Sequence, residues 1–276
     1  MTAIIGCTSR PYARLEYAAA YARIAAAGYT HLAVFGNAGR VPVRADSTAA
    51  EVAAVRAAAR AAGLIPSMLI GSTDLRAGLA AAVDAYRRLL DNAAALGARC
   101  LLDCGTEQCD DLEAYCALMR RVAPHAAAAG ILITLKPHGG ITLTAEDMLD
   151  VHRRVGHPAF GLCYDPGNIL YYTKGERRPE ADVVRVAPHV NTAIVKDCRI
   201  ADGVPSVAVT AGDGQVNFPA VMGGLLAAGF QGPYFVECVG ASEPEGVDRD
   251  LAFTRGYVRG ILQALAASHP GSARPA

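Results

Sequence analysis

Net charge is the first thing the sequence lacks. Its 26 lysines and arginines are matched by 26 aspartates and glutamates, so the 276-residue chain is neutral at pH 7, with a pI of about 7.0. No basic stripe suggests nucleic acid, and no polybasic run suggests an anionic membrane surface. Long apolar runs are missing too. Alanine-rich stretches such as 18–27 are broken by Tyr21 and Arg23, and none reaches the roughly 20 residues needed to span a bilayer. The start, Met1-Thr2-Ala3-Ile4-Ile5-Gly6, has no basic region leading into an apolar one, so no secretory leader is expected and a cytoplasmic protein is. The eight cysteines include no C-x-x-C pair. Their nearest grouping, Cys100, Cys104, Cys109 and Cys116, reads as buried small hydrophobes in a reducing compartment. Finally, Gly6-Cys7-Thr8-Ser9-Arg10 does not supply the G-x-G-x-x-G turn that a dinucleotide-binding fold needs after its first strand.

What the chain does have is apolar bulk and a repeat. Hydrophobic residues make up 52% and charged ones 19%, enough for a substantial core and wrong for a disordered chain. Six times a helical stretch ends in glycine and a β-rich run follows at once: Gly28, Gly63, Gly97, Gly130, Gly156 and Gly229. Glycine belongs just past a helix end because it takes positive φ without a Cβ penalty. Pro188 marks a seventh boundary, and the run Ala3 to Thr8 opens the chain, which makes eight strands. Thr48 with Glu51 and Thr144 with Asp147 read as helix-opening capping boxes. The strands are continuous apolar runs, as in parallel sheets covered on both faces. Eight β/α units point to a single-domain (β/α)₈ TIM barrel over residues 1–267, a common length for that fold. The segment 268–276 reads as a disordered tail.

In such barrels the chemistry sits where strands end at their C-terminal rim. The first four ends are modestly polar, with Asp103 and Glu107 the main acidic groups. The second half is richer: Lys136-Pro137-His138, Tyr164-Asp165-Pro166-Gly167-Asn168, Lys196-Asp197-Cys198-Arg199 and Glu237-Cys238. Four consecutive strands each bring an ionisable group to one rim, and burying those charges for structure alone would cost stability without a gain. Alternation along a strand puts His138 on the face of Lys136 and sets Asp197 on the face opposite Lys196. Asp197 is thereby balanced between contacting substrate and fixing a loop through Arg199 or a backbone amide. Gly212-Asp213-Gly214 is balanced between cradling a phosphate and serving as a plain loop. Tyr171, Tyr172 and Lys174 read as a structural segment or as a flap over the pocket.

In order, LKPHGG, CYDPGN, VKDCR, GDGQVNFPAV and FVEC resemble the xylose isomerase-like sugar phosphate isomerase/epimerase superfamily. The likeness is strongest from about Ile131 to Val239, and elsewhere rests on strand and helix spacing. It implies a barrel that binds one divalent metal, manganese or magnesium, through Glu, Asp, His and Glu on strands 5 to 8. The two Glu residues would then move a proton between adjacent carbons of a sugar. Here Asp165 and Glu237 match that pattern, but Lys136 stands for the first Glu and Ile194 for the His. Asn168 stands where relatives often carry His. Two oxygen ligands hold a divalent ion weakly, and a neighbouring ammonium competes by charge. The expectation is therefore no cofactor and no metal site, with Asp165 and Glu237 as the ligands if one binds.

In that reading Lys136 takes over the Lewis acid's work on an enolate oxygen. His138 assists at the same oxygen or shuttles protons, Asp165 pairs with the lysine, and Lys196 is a second cation. Glu237 is the expected general base. Asn168, Asp197, Arg199, Tyr164 and Asp103 are candidate substrate contacts. A Schiff base on Lys136 is an alternative. The expected activity is a sugar, keto-sugar or cyclitol isomerase or epimerase acting through an enediolate or enolate. Alternatives are a lyase expelling a β-leaving group and a sugar-binding barrel without catalysis. The expected partner is a small carbohydrate, with neither nucleic acid nor membrane, and a homo-oligomer is expected by analogy with related barrels.

Overall fold

In a computed structural model, residues 3–268 are described. Ten strands and nine helices follow in the chain among them. They run β1 (Ile5–Thr8), α1 (Tyr17–Ala26), β2 (His31–Val34), α2 (Ala49–Ala61), β3 (Ile65–Ile70), α3 (Leu79–Leu96), β4 (Cys100–Asp103), α4 (Leu112–Ala128), β5 (Leu132–Leu135) and α5 (Ala145–Val155). The second half continues with β6 (Phe160–Tyr164), α6 (Pro166–Tyr172), α7 (Pro179–Val186), β7 (Val190–Val195), β8 (Arg199–Ala201), β9 (Val204–Ser206), α8 (Phe218–Ala227), β10 (Tyr234–Val236) and α9 (Pro244–Ser268). Strands β1 to β7 and β10 pair in parallel and close on themselves, β10 joining β7 to β1. This is the eight-stranded barrel expected from the sequence.

The local signals hold in detail. All six helix-ending glycines adopt positive φ, between 60° and 98°. Thr48 and Thr144 each accept from the backbone N–H three residues on, and Glu51 and Asp147 close the boxes. The hairpin β8–β9 was not anticipated. Its loop is the dipeptide Asp202-Gly203, with φ of 51° and 76°, which is the primed-turn chemistry that joins two short antiparallel strands. The expected tail falls almost wholly outside the described residues, since Ser268 ends α9 and 269–276 lie beyond it. No helix among the described residues is long and apolar enough to cross a membrane.

Alternation along the strands sorts their side chains into two layers. Cys7, Leu32, Val34, Leu101, Leu135, Leu162 and Val236 pack outward against the helices. Ala33, Phe35, Met68, Cys100, Leu102, Cys163, Ile194 and Phe235 form a separate apolar cluster inside the barrel. Ile194, at the position where relatives place a histidine, belongs to that inner cluster. The lumen is full: a Cβ on Gly6 would lie 2.5 Å from the Phe235 ring and 3.0 Å from the His31 carbonyl oxygen. Gly6→Ala is therefore expected to cost about 1–3 kcal/mol by overpacking, read from the denaturant midpoint. Phe235→Leu in the same chain should recover part of that loss. If Gly6→Ala is neutral, the lumen is looser than these contacts indicate.

Candidate active site

Above the inner apolar cluster, the rim end of the barrel holds charge. Lys136 follows β5, Asp165 follows β6, Lys196 follows β7 and Glu237 follows β10, and their side chains are at most 2% exposed. Each lies two residues beyond an inward-facing residue: Thr134, Cys163, Ile194 and Phe235 respectively. Period-two geometry alone therefore converges them.

Lys196 is the centre of the constellation. Its Nζ donates to Asp165 Oδ2 at 2.9 Å and to Asn168 Oδ1 at 2.9 Å, and lies 2.6 Å from Glu237 Oε1. An ammonium has three N–H groups, so these three acceptors use them all. Lys136 is less fully engaged. Its Nζ donates to Glu237 Oε2 at 2.9 Å, stands 3.6 Å from Asp165 Oδ2, and faces the Phe35 ring at 5.9 Å from its centroid. Arg10, in a short 3₁₀ turn after β1, donates from Nη1 to Glu237 Oε1 at 2.5 Å. Asp165 also caps α6 by accepting the Asn168 N–H at 3.0 Å, while Asn168 Nδ2 donates to the Pro137 carbonyl at 2.7 Å. Gly167 makes this approach feasible, because a Cβ there would sit 2.6 Å from the Lys196 carbonyl oxygen.

The electrostatics follow from the contacts. Burial raises the pKa of the Glu237 carboxyl, but Lys136, Lys196 and Arg10 outweigh it and hold that pKa well below the usual range. Burial likewise disfavours the Lys136 ammonium, and Glu237 and Asp165 reverse the sign, so its pKa is raised. His138 is half-buried, and burial together with Lys136 and Lys196 lowers its pKa. It is the neutral imidazole of the group at pH 7. The Tyr172 hydroxyl at the end of α6 lies 3.0 Å from its Nε2. Burial pushes the Tyr172 phenol up to about 12.

The structure therefore brings Lys136, Asp165, Lys196, Glu237 and Asn168 into contact, with His138 against Tyr172 and near enough to feel the charge of both lysines. It does not bring the other four candidates to them. Asp103 points out of the barrel and is fully buried, accepting from Thr73, Tyr86, Tyr115 and the Gly105 N–H. Tyr164 also faces outward, its hydroxyl donating to the Pro179 carbonyl. Asp197 is held by the backbone N–H groups of Cys198, Gly212, Gly214 and Val216, which settles it as the clasp of the 212–216 loop. Arg199 is exposed and donates to the Asp213 carbonyl. Arg10 was not singled out from sequence: it lies in the 3₁₀ turn after β1, where strand alternation no longer tells which way a side chain points.

A divalent cation does not suit this donor set. Asp165 and Glu237 are the only carboxylates in it, both are bonded to ammonium groups, and the Asn168 carbonyl oxygen is taken by Lys196. No group of three or more His, Cys, Asp or Glu side chains able to hold a metal occurs among the described residues. Two surface cavities, of about 200 and 320 Å³, lie away from the cluster. One sits beside Arg44 and Tyr86, the other between Arg199 and Asp250.

Residues 21–257 match the family model described as a xylose isomerase-like TIM barrel. No curated protein matches the chain. Among solved structures, the xylose isomerase domain protein of Planctomyces limnophilus is 21% identical, with a TM-score of 0.71 over 89% of this chain and 93% of that one. A xylose isomerase-like TIM barrel protein of Mycobacterium smegmatis, in complex with magnesium, is 19% identical (TM-score 0.76; 96% and 98% covered). The D-psicose 3-epimerase of Clostridium cellulolyticum H10, with D-tagatose, is 14% identical (TM-score 0.76; 94% and 99% covered). At these identities the likeness is one of fold.

Asp103 offers a check on which rim residues are scaffold. Asp103→Ala leaves three hydroxyls and one N–H without their acceptor, and about 3 kcal/mol of stability should go with it. Urea titration reads that loss. An unchanged midpoint would mean that Asp103 does not fasten the β4 end.

Proposed function

This chain belongs to the xylose isomerase-like TIM barrel family, and we propose that it is a sugar isomerase or epimerase that moves a proton next to a carbonyl without the family's divalent metal. The observation that carries this reading is the Lys136 ammonium between the Asp165 and Glu237 carboxylates, with an N–H still to give and a neutral His138 two residues along the chain.

In the proposed step a substrate carbonyl oxygen accepts a hydrogen bond from Lys136. His138 takes the proton from the adjacent carbon. The C–H electron pair forms the carbon–carbon double bond, and the carbonyl π pair moves to the oxygen, whose negative charge Lys136 stabilises. Protonation of the opposite face of the same carbon by water, with His138 releasing its proton to solvent, gives an epimer. Return of the proton to the neighbouring carbon, with movement of a hydroxyl proton, gives the isomeric sugar. The raised pKa of Lys136 supports an ammonium donor and disfavours a Schiff base, which needs the free amine.

The proton transfer is assigned to His138 rather than to Glu237, the base expected from sequence. A carboxylate stabilised by three cations is a weak proton acceptor, whereas an imidazole of lowered pKa is neutral and ready near pH 7. Glu237 and Asp165 serve as the counter-ions that keep both lysines charged, and Lys196 holds the two in register. The metal's absence from this mechanism rests on the donor set, in which ammonium groups stand where ligands would be needed.

Two outcomes check the assignment. In D₂O, a substrate found by screening keto-sugars should gain one deuterium at the reacting carbon. His138→Gln should slow that exchange by about 10²- to 10⁴-fold, and Lys136→Met by about 10²- to 10³-fold. For pH dependence, His138 must be neutral and its pKa is lowered, so kcat should fall on acidification with a midpoint below that of an ordinary imidazole. If Glu237 were the base, the acid limb would lie well below the usual carboxylate range. Undiminished exchange in His138→Gln would overturn the assignment.

A further inference from the structure

We infer that the ligand of this site carries an oxyanion, a carboxylate or a phosphate, received by Arg10 with the Thr8 hydroxyl beside it. The inference rests on the proposed reaction only in placing the reacting carbonyl on Lys136.

Charge balance is the first observation. Lys136, Lys196 and Arg10 meet Asp165 and Glu237, which leaves one positive charge over. His138 adds none while it is neutral. Asp197, the next carboxylate along the rim, is turned into its own loop. The four buried groups balance, so the surplus positive charge sits on Arg10 at the solvent-open edge of the cluster, where an anionic ligand would find it.

Reach is the second. Lys196 is ringed by Asp165, Asn168 and Glu237, and the remaining N–H of Lys136 is given to the reacting carbonyl, so neither lysine is left for a second ligand group. Arg10 alone among the cations is open to solvent, with its side chain 46% exposed. One of its five N–H groups goes to Glu237, and its planar fork matches the paired oxygens of a carboxylate or phosphate.

The third is an orphaned hydroxyl. Thr8 is fully buried, and its Oγ1 has no hydrogen-bond partner among the described residues. Gly6 faces the lumen, as its contact with Phe235 shows, so Thr8 faces it too. The β1–β10 register pairs Gly6 with Phe235 and Cys7 with Val236, which sets Thr8 beside Glu237 at the next step. A buried hydroxyl without a partner is costly in a native fold. Here it stands next to the carboxylate that Arg10 binds, and a ligand oxygen at that point would satisfy it.

The test uses small probes rather than the unknown substrate. Glycolate, inorganic phosphate and uncharged ethylene glycol are titrated against the full chain, and binding is followed through the His138 imidazole resonances and through Tm. At least one anion should saturate while ethylene glycol does not, and Arg10→Met should weaken that anion at least about 10-fold. Thr8→Val, which keeps the shape and removes the hydroxyl, should weaken it less while leaving the fold at least as stable. Saturation by glycolate alone identifies a carboxylate ligand, and by phosphate alone a phosphorylated one. The inference is overturned if neither anion saturates, if ethylene glycol binds as well, or if Arg10→Met binds the anions as the native chain does. The proposed reaction fails separately. An anion that binds through Arg10, with no deuterium exchange on any acidic or phosphorylated sugar, sinks the enolate chemistry and leaves the anion site standing.

Discussion

An ammonium group with three N–H bonds and three acceptors organises the rim of this barrel. Lys196 reaches Asp165, Asn168 and Glu237 from the end of β7, and so ties the ends of β6, β7 and β10 to one point. Two buried carboxylates this close to a common centre would repel and take up protons if the positive charge between them were removed. Lys136 and Arg10 complete the neutralisation from the other sides. Buried ion pairs of this kind contribute little net stability, because desolvation offsets the attraction. The apolar layer between strands and helices holds the barrel together, and the charges hold positions.

The barrel was legible in the sequence because its signals are local. A helix must end where glycine supplies positive φ, as at Gly97 and Gly156, and a capping box needs only four residues, as at Thr48 and Thr144. The charged centre was legible for a different reason: Asp165, Glu237 and Lys136 fall at strand ends where the family resemblance expects ligands, and alternation then placed Lys196 on the face of Ile194. What failed was polarity used without parity. Asp103 and Tyr164 sit at strand ends, yet both alternate outward and fasten neighbouring segments. Arg10 was missed for another reason, since it sits in a 3₁₀ turn past the strand end, where the period-two rule gives no direction. The balance of pKa values was beyond reach, because it depends on three cations meeting one carboxylate across more than 200 residues of chain.

The two faces of the strand ends divide the labour. Inward groups form the charged centre, while outward ones, Asp103 and Asp197 above all, collect hydroxyl and backbone donors and set the loops around it. Asp197 alone gathers four N–H groups, three of them from the 212–216 loop. A barrel rim can thus look uniformly polar in sequence while only half of its polar groups face a ligand. In this barrel the rim carries a lysine-centred cluster.

Helix α6 joins two parts of the site that seem separate. Its first turn is capped by Asp165, a member of the ion cluster, and its last residue, Tyr172, carries the hydroxyl against His138. Seven residues at 1.5 Å each make a rigid rod of roughly 10 Å. Asn168, within the rod, is bonded at one end of its amide to Lys196 and at the other to Pro137, next to His138. One short helix thus carries both the carboxylate of the ion cluster and the hydroxyl that contacts the imidazole, so a substitution within α6 bears on both at once.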